Sequence, residues 1–498
     1  MPEAKEDKKG NKKEDRKEIG ITIKKEDEFG EWYQQVILKS DFIDYSAVSG
    51  CIILKPLAYS VWEKIKDAVD VRLKSMGIQN VYFPLFIPES LLKKETSHVK
   101  GFSPEVAWVD YGGDTKLGER LAVRPTSETI MYDSYSRWVK SWRDLPLRLN
   151  QWNNVVRWEF KHPVPFIRTR EFLWNEGHTA FATKEEAEKE MHDILRLWIE
   201  ICSDYLALPG IAGQKTESEK FAGAEYTWAL EFVTPNGRLV QGPDAHHDGQ
   251  IFAKAFDIKF LDKDEKMKYA YQNTWAITTR MIGLMVMTHS DNKGLVLPPK
   301  LAPAHAVIVP IMFADSMEKV MKRCKEVKKD LESSGMQVIL DDREECTPGW
   351  KFNDWEMKGM PLRIEIGPKD VEKDQAVLVR RDDGKKEFVK TGNLKKRVKE
   401  SLEQMQIDLL GKALKLREES IADAKEFHEL TKAIKEKKIV RSQWCDNPEC
   451  EGMIKDKTGG AKIVCIPLDK DNRRKEAKGK CVCCGKAAKY EVYIAKSY

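Results

Sequence analysis

The sequence predicts an α+β multidomain chain, and three observations carry that expectation. Its 498 residues exceed what one ordinary core holds, so two to four units are expected. Strand-like runs and longer helical patterns, rich in aromatics and Arg, fill the chain from about Phe29 to about Pro303; after Pro298-Pro299 the pattern becomes strand, helix, strand, helix. Six of the ten cysteines crowd the last segment, which in a reducing compartment points to metal more than to disulfides. These shifts divide the chain into a charged tail over 1–28, a large unit over 29–303, an α/β unit over 304–406 and a cysteine-bearing unit over 407–498.

In order along the chain, 13 of the first 18 residues are charged with both signs mixed, so this segment cannot bury enough surface to offset its ordering entropy and reads as a disordered tail. It shows no apolar run behind its charges and the chain has no stretch long enough to span a bilayer, so a cytosolic location is the default. The formal net charge is +5 with 33% charged residues, which makes basic character matter only locally. Trp62, Ile65, Ala68, Val69, Leu73 and Met76 recur at helical spacing over Leu57–Met76, and Gly77 is the stop. The run Asn80 to Pro88 is extended, and its Pro84 argues against a central strand. In the α/β unit, Ala306 to Met312 and Val338 to Leu340 are expected strands and Ser316 to Ser333 a helix. A charged helical stretch from about Ile407 to Ile439 leads into the cysteines.

The run Val155-Val-Arg157-Trp-Glu159-Phe160 alternates so that Arg157 and Glu159 share one strand face. A basic loop, Lys161 to Glu171, follows, and then Phe172-Leu-Trp174-Asn-Glu176-Gly-His178, whose Phe172, Trp174, Glu176 and His178 again share a face. An antiparallel pair presenting Arg, Glu, Trp, Glu and His on one surface is a poor way to cover a core and a good way to build a site.

These residues resemble motif 2 of the class II aminoacyl-tRNA synthetases. The helix ending at Gly77 with the extended run to Pro88 resembles motif 1, and Trp275-Ala-Ile-Thr-Thr279-Arg280-Met-Ile-Gly283 resembles motif 3. At finer grain, Arg124-Pro-Thr126-Ser-Glu128-Thr, Asn150-Gln-Trp152, Arg168-Thr-Arg170-Glu-Phe-Leu-Trp174 and Gly294-Leu-Val-Leu-Pro-Pro299 are similar to the prolyl-tRNA synthetases of the eukaryotic and archaeal type. The resemblance implies an antiparallel-sheet catalytic domain, an α/β anticodon-binding domain and a C-terminal zinc-binding-like domain. It implies ATP with Mg²⁺, L-proline and tRNA(Pro) as substrates, and a homodimer, since motif 1 builds the dimer interface of this class.

By the same resemblance the catalytic residues are Arg157, Glu159 and Arg280. Arg157, Arg168 and Arg280 meet the phosphates, Phe172 stacks on adenine, and Glu159, Thr169, Gln241 and Thr278 complete the nucleotide site. Guanidinium suits such a site because it makes bidentate contacts to phosphate oxygens and keeps its charge. Thr126 and Glu128, read as alternating on one strand face, are the expected acceptors for the proline NH2⁺. Arg157, Trp174, Glu176, His178, Phe221 and His246 complete the proline pocket, and Phe102 and Glu105 belong to a loop expected to fold over it. Only 120 residues separate Glu159 from Arg280, so the editing domain that bacterial relatives insert there is not expected.

Pro348 to Pro368 resembles the anticodon-binding domain, with Glu356, Arg363 and Lys385 as candidates for guanine contacts; for Lys385 a solvated charged face competes equally. Cys445-x4-Cys450 and Cys481-x-Cys483-Cys484-Gly485 have the form of a four-thiolate zinc site. Cys481 and Cys484 are favoured as the second pair because a two-residue spacer closes a knuckle, with Cys483 as substitute and Cys465 as bystander. The terminal Tyr498 resembles a family ending that packs back toward the catalytic domain.

The stretch Gln241-Gly-Pro-Asp244-Ala245-His246-His247-Asp248-Gly-Gln250 first suggests a metal site. Adjacent strand residues point to opposite faces, however, so His246 and His247 are badly placed to share an ion. Relatives carry two small hydroxyl residues where this chain has Asp244 and Ala245. That places a carboxylate and a methyl at the pocket edge and makes this the expected point of departure in substrate handling, including a broadened amino acid preference.

Overall fold

A computed structural model describes residues 20–98, 105–159, 162–313 and 315–498. The first nineteen residues of the tail, Phe102 and the motif 2 residues Phe160 and Lys161 lie outside the described residues. Among the described residues no helix is long and apolar enough to cross a membrane.

The framework is a sheet of eleven strands. From one edge to the other these are Ile421–Asp423, Ile439–Trp444, Tyr490–Ala495, Lys462–Pro467, Ile211–Gln214, Tyr226–Thr234, Arg238–Gly249, Tyr271–Thr278, Glu171–Phe181, Leu147–Val156 and Gln79–Asn80. Every pairing is antiparallel except the outermost at each edge. Alternation sorts the strand Glu171–Phe181 cleanly. Trp174, Glu176 and His178 face a cavity, whereas Thr179 hydrogen-bonds Glu190 of the helix Lys184–Glu200 behind the sheet. Gly177 is required on that rear face, because a Cβ there would lie 2.1 Å from the indole of Trp275. The rear helix starts where Thr183 and Glu186 form a capping box, and its Trp198 packs edge-on against Trp275 at 6.2 Å.

The helix expected over Leu57–Met76 is Pro56–Ser75, with Pro at its first turn and seven buried side chains, among them Trp62 and Ile65, on one stripe. The extended run after it divides. Gln79–Asn80 is the edge strand of the main sheet, and Phe86–Pro88 pairs with Thr115–Val123 in a separate three-stranded sheet. Pro84, which has no N–H to donate, lies at the break.

The α/β unit is a five-stranded mixed sheet in the order Val338–Leu340, Ala306–Pro310, Leu362–Ile366, Gln375–Arg380 and Lys386–Lys390. It is fastened to the large unit by Arg381, whose guanidinium donates to both oxygens of Asp291 at 2.8 and 2.7 Å, and by Lys293, whose Nζ lies 3.0 Å from Glu356. Gly294, at φ +131°, lies where the two units touch: a Cβ would fall 2.5 Å from the carbonyl oxygen of Met357.

Several sequence expectations are corrected. The boundary at 406/407 falls inside one helix, Thr391–Ser420, because no proline interrupts it and its buried stripe, Leu402, Met405 and Leu409, continues across that point. The last unit is not a separate layer: Lys462–Pro467 pairs with Ile211–Gln214, so its strands extend the main sheet. Arg157 and Glu159 are not on a strand, which runs from Leu147 to Val156 and ends just before Arg157. Thr126 and Glu128 do not alternate on a strand either. Pro125 cannot donate to a ladder, Ser127 becomes an N-cap, and Glu128 is the first residue of the helix Glu128–Trp138. Ala245 is not at the pocket edge; it is buried between Trp228 and Trp275, its partners on the flanking strands.

Candidate active site

One cavity of about 500 Å³ opens on the front face of the main sheet. Its walls include every residue expected for the amino acid and the nucleotide, from Thr126 and Glu128 through Arg157, Glu159, Arg168, Thr169, Phe172, Trp174, Glu176, His178, Phe221, Gln241, His246 and Thr278 to Arg280. They come from six places in the chain, brought together by the pairing of Glu171–Phe181 with Leu147–Val156 and Tyr271–Thr278, and of Tyr271–Thr278 with Arg238–Gly249.

At the mouth, three guanidiniums converge. Arg157 donates from Nε to the Pro125 carbonyl at 3.0 Å, and its guanidinium lies 5.5 Å from the Phe172 ring and 5.3 Å from Trp174. Arg280 opens the helix Arg280–His289 directly after the strand Tyr271–Thr278 and is aimed by bonds from Nε to the Ile167 carbonyl (3.0 Å) and from Nη1 to the Gln241 carbonyl (3.1 Å). Arg168 follows a tight turn in which its N–H and that of Ile167 both donate to the Val164 carbonyl. Three cations around one cleft form an anion site of high charge density.

The deep end centres on Glu176. It accepts from the Ser127 N–H (3.0 Å) and hydroxyl, the Gln151 amide (3.2 Å), the Asn153 amide (2.6 Å) and His178 Nε2 (3.1 Å). Burial alone would push its pKa up, but the bond and charge of His178, with Ser127 and Asn153, outweigh it and hold the carboxyl at about 2. Burial would likewise lower His178, yet its bond to Glu176 and the negative charges of Glu128 and Glu176 raise it. The other ring nitrogen of His178 faces the Tyr132 hydroxyl at 3.2 Å. Thr126 donates its hydroxyl to Glu128, whose carboxylate lies within 4.8 Å of Glu176 and His178 at the same end. Glu105 is exposed and is not among the cavity walls.

His246 and His247 do point to opposite faces. His246 lies in the cavity, 4.8 Å from the Phe221 ring, while His247 turns behind the sheet to Asn273 at 2.8 Å. Asp244 lines the cavity and accepts from the Gln241 amide at 2.7 Å, its other oxygen 3.5 Å from His246. Asp248 is buried, and desolvation with the nearby charge of Glu128 pushes its carboxyl well above the usual range. Thr227 was not foreseen: its hydroxyl accepts from the Phe221 N–H (3.1 Å) and bonds His246 Nδ1 (2.8 Å). A signal existed, since the Asn236-Gly237 turn joins two strands on which Thr227 stands opposite His246. Gln151, Asn153 and Ser127, the other donors to Glu176, carry no motif of their own.

The other two sites are assembled less evenly. The sulfurs of Cys445, Cys450, Cys481 and Cys484 all lie within 4.8 Å of one another, with Cys445 at 3.7 Å from both Cys450 and Cys484. Tetrahedral zinc with Zn–S of about 2.3 Å implies sulfur separations of about 3.8 Å, so this donor set fits the metal, and the distances are far too long for disulfides. Cys483 points instead to Met453 at 3.3 Å, and Cys465 is buried in the seam against Gly213. Of the guanine candidates, Glu356 and Arg363 line one small concavity with Trp355 and Arg380, whereas Lys385 is 80% exposed on a hairpin, paired with Asp383. The chain end packs back as expected: Asn236 donates to the Tyr498 hydroxyl at 2.9 Å and Arg238 to the Ser497 carbonyl at 2.6 Å.

Residues 108–289 match the tRNA synthetase class II core domain (G, H, P, S and T), residues 305–401 an anticodon binding domain, and residues 427–498 the C-terminal domain of prolyl-tRNA synthetase. The chain is 47% identical to proline–tRNA ligase 2 of Bacillus cereus, over 97% of this chain and 100% of that one. It is also 47% identical to the cytoplasmic proline–tRNA ligase of Arabidopsis thaliana, over 98% and 93%. A crystal structure of prolyl-tRNA synthetase from Cryptosporidium parvum, complexed with halofuginone and AMPPNP, superposes with a TM-score of 0.92 at 46% identity, covering 96% of this chain and 100% of that one. With relatives this similar along nearly their whole length, and with the cavity built as described, the chain belongs to the prolyl-tRNA synthetase family.

Proposed function

We infer that the chain is a proline–tRNA ligase, a class II synthetase that activates L-proline with ATP to prolyl-adenylate and transfers proline to the 3′ end of tRNA(Pro). The observation that carries this reading is the meeting, in one cavity, of Arg157, Arg168 and Arg280 with the acid and imidazole end formed by Glu128, Glu176 and His178. In the first step a proline carboxylate oxygen attacks the α-phosphorus, and the bond to the β-phosphate oxygen breaks as pyrophosphate leaves with its electron pair. In the second, a ribose hydroxyl of the tRNA terminus attacks the activated carbonyl and AMP departs. Neither step needs a covalent enzyme intermediate, so positioning and charge neutralisation are the protein's contribution.

Arg157 bridges carboxylate and α-phosphate in this reading, and Arg168 and Arg280 hold the remaining phosphate charge. Phe172 stacks on adenine, and Glu159, Thr169, Gln241 and Thr278 complete the nucleotide site. The two N–H bonds of the proline ammonium go to Thr126 and Glu128. Trp174, His178, Phe221 and His246 enclose the ring, with Glu176 fixing the wall from behind. Mg²⁺ enters with ATP as counterion to the phosphates. Asp244 is held by the Gln241 amide and lies 3.5 Å from His246. Residues 29–303 then form the catalytic unit and 304–406 the core of the anticodon unit, where Glu356 and Arg363 are the better guanine candidates because they share a concavity. The span of 120 residues between Glu159 and Arg280, filled by strands of the main sheet and the helices and hairpin between them, supports the lack of editing in cis. Exposed Tyr59, Val71 and Tyr82 in the motif 1 region, with exposed Tyr45, Val48 and Ile53 just before it, support a homodimer. A cytoplasmic location accords with the name of the plant relative.

Amino-acid-dependent ATP/pyrophosphate exchange tests the main reading. Proline is expected to drive exchange, and smaller amino acids such as alanine, which lacks two of the ring carbons, are expected to do so at least about 10-fold less well, because each methylene of ring contact is worth only about 1–3 kcal/mol. A preparation in which another amino acid, but not proline, drives exchange would overturn it.

Cys445, Cys450, Cys481 and Cys484 would hold a structural zinc with no open coordination position. Metal analysis of freshly purified protein is expected to find one zinc per chain. Cys484→Ser is expected to lose it and lower the thermal stability of the C-terminal unit, and Cys483→Ser to keep it. Loss on Cys483→Ser instead would reassign the ligand.

A further inference from the structure

The loop over 215–225, between the strands Ile211–Gln214 and Tyr226–Thr234, carries Glu219, Lys220 and Phe221 onto the cavity wall. Its backbone is tied to its own sheet near the two ends, where the Lys215 N–H donates to the Thr227 carbonyl at 2.9 Å and the Glu225 N–H to the His247 carbonyl at 2.7 Å. The C-terminal unit holds it from the other side. The buried Thr216 hydroxyl donates to the buried Glu451 carboxylate at 2.7 Å, and Lys462 forms an ion pair with Glu219. Lys215, itself buried, pairs with Glu231 and donates to the Val464 carbonyl at 3.2 Å.

From Thr216 a run of hydrogen bonds leads to the pocket. The Thr216 carbonyl accepts from the Lys220 N–H at 2.9 Å, the next residue, Phe221, donates its N–H to Thr227, and Thr227 bonds His246. The Phe221 and His246 rings then lie 4.8 Å apart. Glu451 stands on the helix Pro448–Lys457, so an element more than 200 residues further along the chain is tied by direct bonds to the wall of the cavity.

We propose that Glu451 and Lys462 are positioning residues of the amino acid pocket: through Thr216 and Glu219 the C-terminal unit holds the 215–225 loop so that Phe221 stays against His246, and this contributes to proline affinity. The inference rests on the reading of Phe221 and His246 as walls of the proline pocket. Its physical basis is entropic as well as bonded. An eleven-residue loop with few ladder bonds is ordered at a cost in conformational freedom, and a buried hydroxyl-to-carboxylate bond together with an ion pair offsets that cost before proline arrives.

Proline-dependent exchange on the full chain, with separate titration of proline and ATP, tests this. Thr216→Val removes the donor at nearly constant volume and is expected to raise the KM for proline about tenfold, with the KM for ATP and kcat within about twofold of the parent. Lys462→Ala, which leaves the buried pair intact, is expected to move the KM for proline in the same direction by a smaller factor. Thr216→Ser, which restores the hydroxyl, is expected to behave as the parent. A parental KM for proline in Thr216→Val, alongside a raised KM in Phe221→Ala, overturns the positioning role and leaves the pocket reading standing. A parental KM in Phe221→Ala overturns both. A fall in kcat with neither KM changed marks general loss of structure and also overturns the proposal.

Discussion

Replacing Arg157 by alanine is expected to lower proline-dependent exchange by about 10³-fold while leaving the circular dichroism spectrum unchanged, since a single preorganised donor to a developing charge contributes on that order. Arg157 stands past the end of its strand, held by the Pro125 carbonyl and by the faces of Phe172 and Trp174. Truncation therefore removes charge from the cavity and takes the donor from one backbone carbonyl, that of the buried Pro125 at the cavity wall. Arg157→Lys is expected to recover little, because an ammonium cannot present two parallel N–H bonds to carboxylate and phosphate together. Both variants are measured under saturating ATP and proline and then at low concentrations of each. Exchange by Arg157→Ala within about tenfold of the parent would remove Arg157 from the reaction.

The second large effect concerns Glu176 and His178 and is read as stability against pH. The Glu176 carboxyl falls from its usual 4.5 to about 2 in the folded chain, so its contribution is complete above pH 4.5 and is lost as pH falls from 4.5 toward 2. His178 is raised above 6.5, so its contribution is complete below pH 6.5 and is lost as pH rises through its folded value. The pair therefore supports the fold most between pH 4.5 and 6.5, with the Glu176 part worth about 3 kcal/mol. A chain of several units unfolds in more than one step, so the transition to follow is the one that added proline moves upward. Glu176→Gln is expected to lower that transition at pH 5 and to flatten its acid limb between pH 4.5 and 2; His178→Gln is expected to flatten the limb above pH 6.5. An acid limb identical in Glu176→Gln and the parent would show that other carboxylates set it.

The site was largely legible because its chemistry is local in sequence. Arg157, Glu159, Trp174, Glu176 and His178 lie in two short runs, and a period of two is enough to say that the last three share a face. The same rule failed at Thr126 and Glu128, where spacing alone suggested a strand and Pro125 with a capping Ser127 made a helix start instead. At Ala245 the error came from the resemblance, which put Asp244 and Ala245 together at the pocket edge; the period of two, with His246 in the cavity, places Asp244 inward and Ala245 behind, as found. Thr227 and Asn153 were not anticipated, since a hydroxyl or an amide acquires its role only from the strand that pairs with it.

The sequence by itself determined the α+β character, the two runs that meet in the cavity and the two cysteine groups of one cluster, because each depends on residue type and short-range spacing. Tertiary structure alone decided that the C-terminal strands extend the catalytic sheet, that one helix crosses the boundary expected at 406/407, and that Glu451 reaches Thr216. Such features arise from packing between segments hundreds of residues apart, and no local propensity or periodicity records which surfaces will be buried against each other.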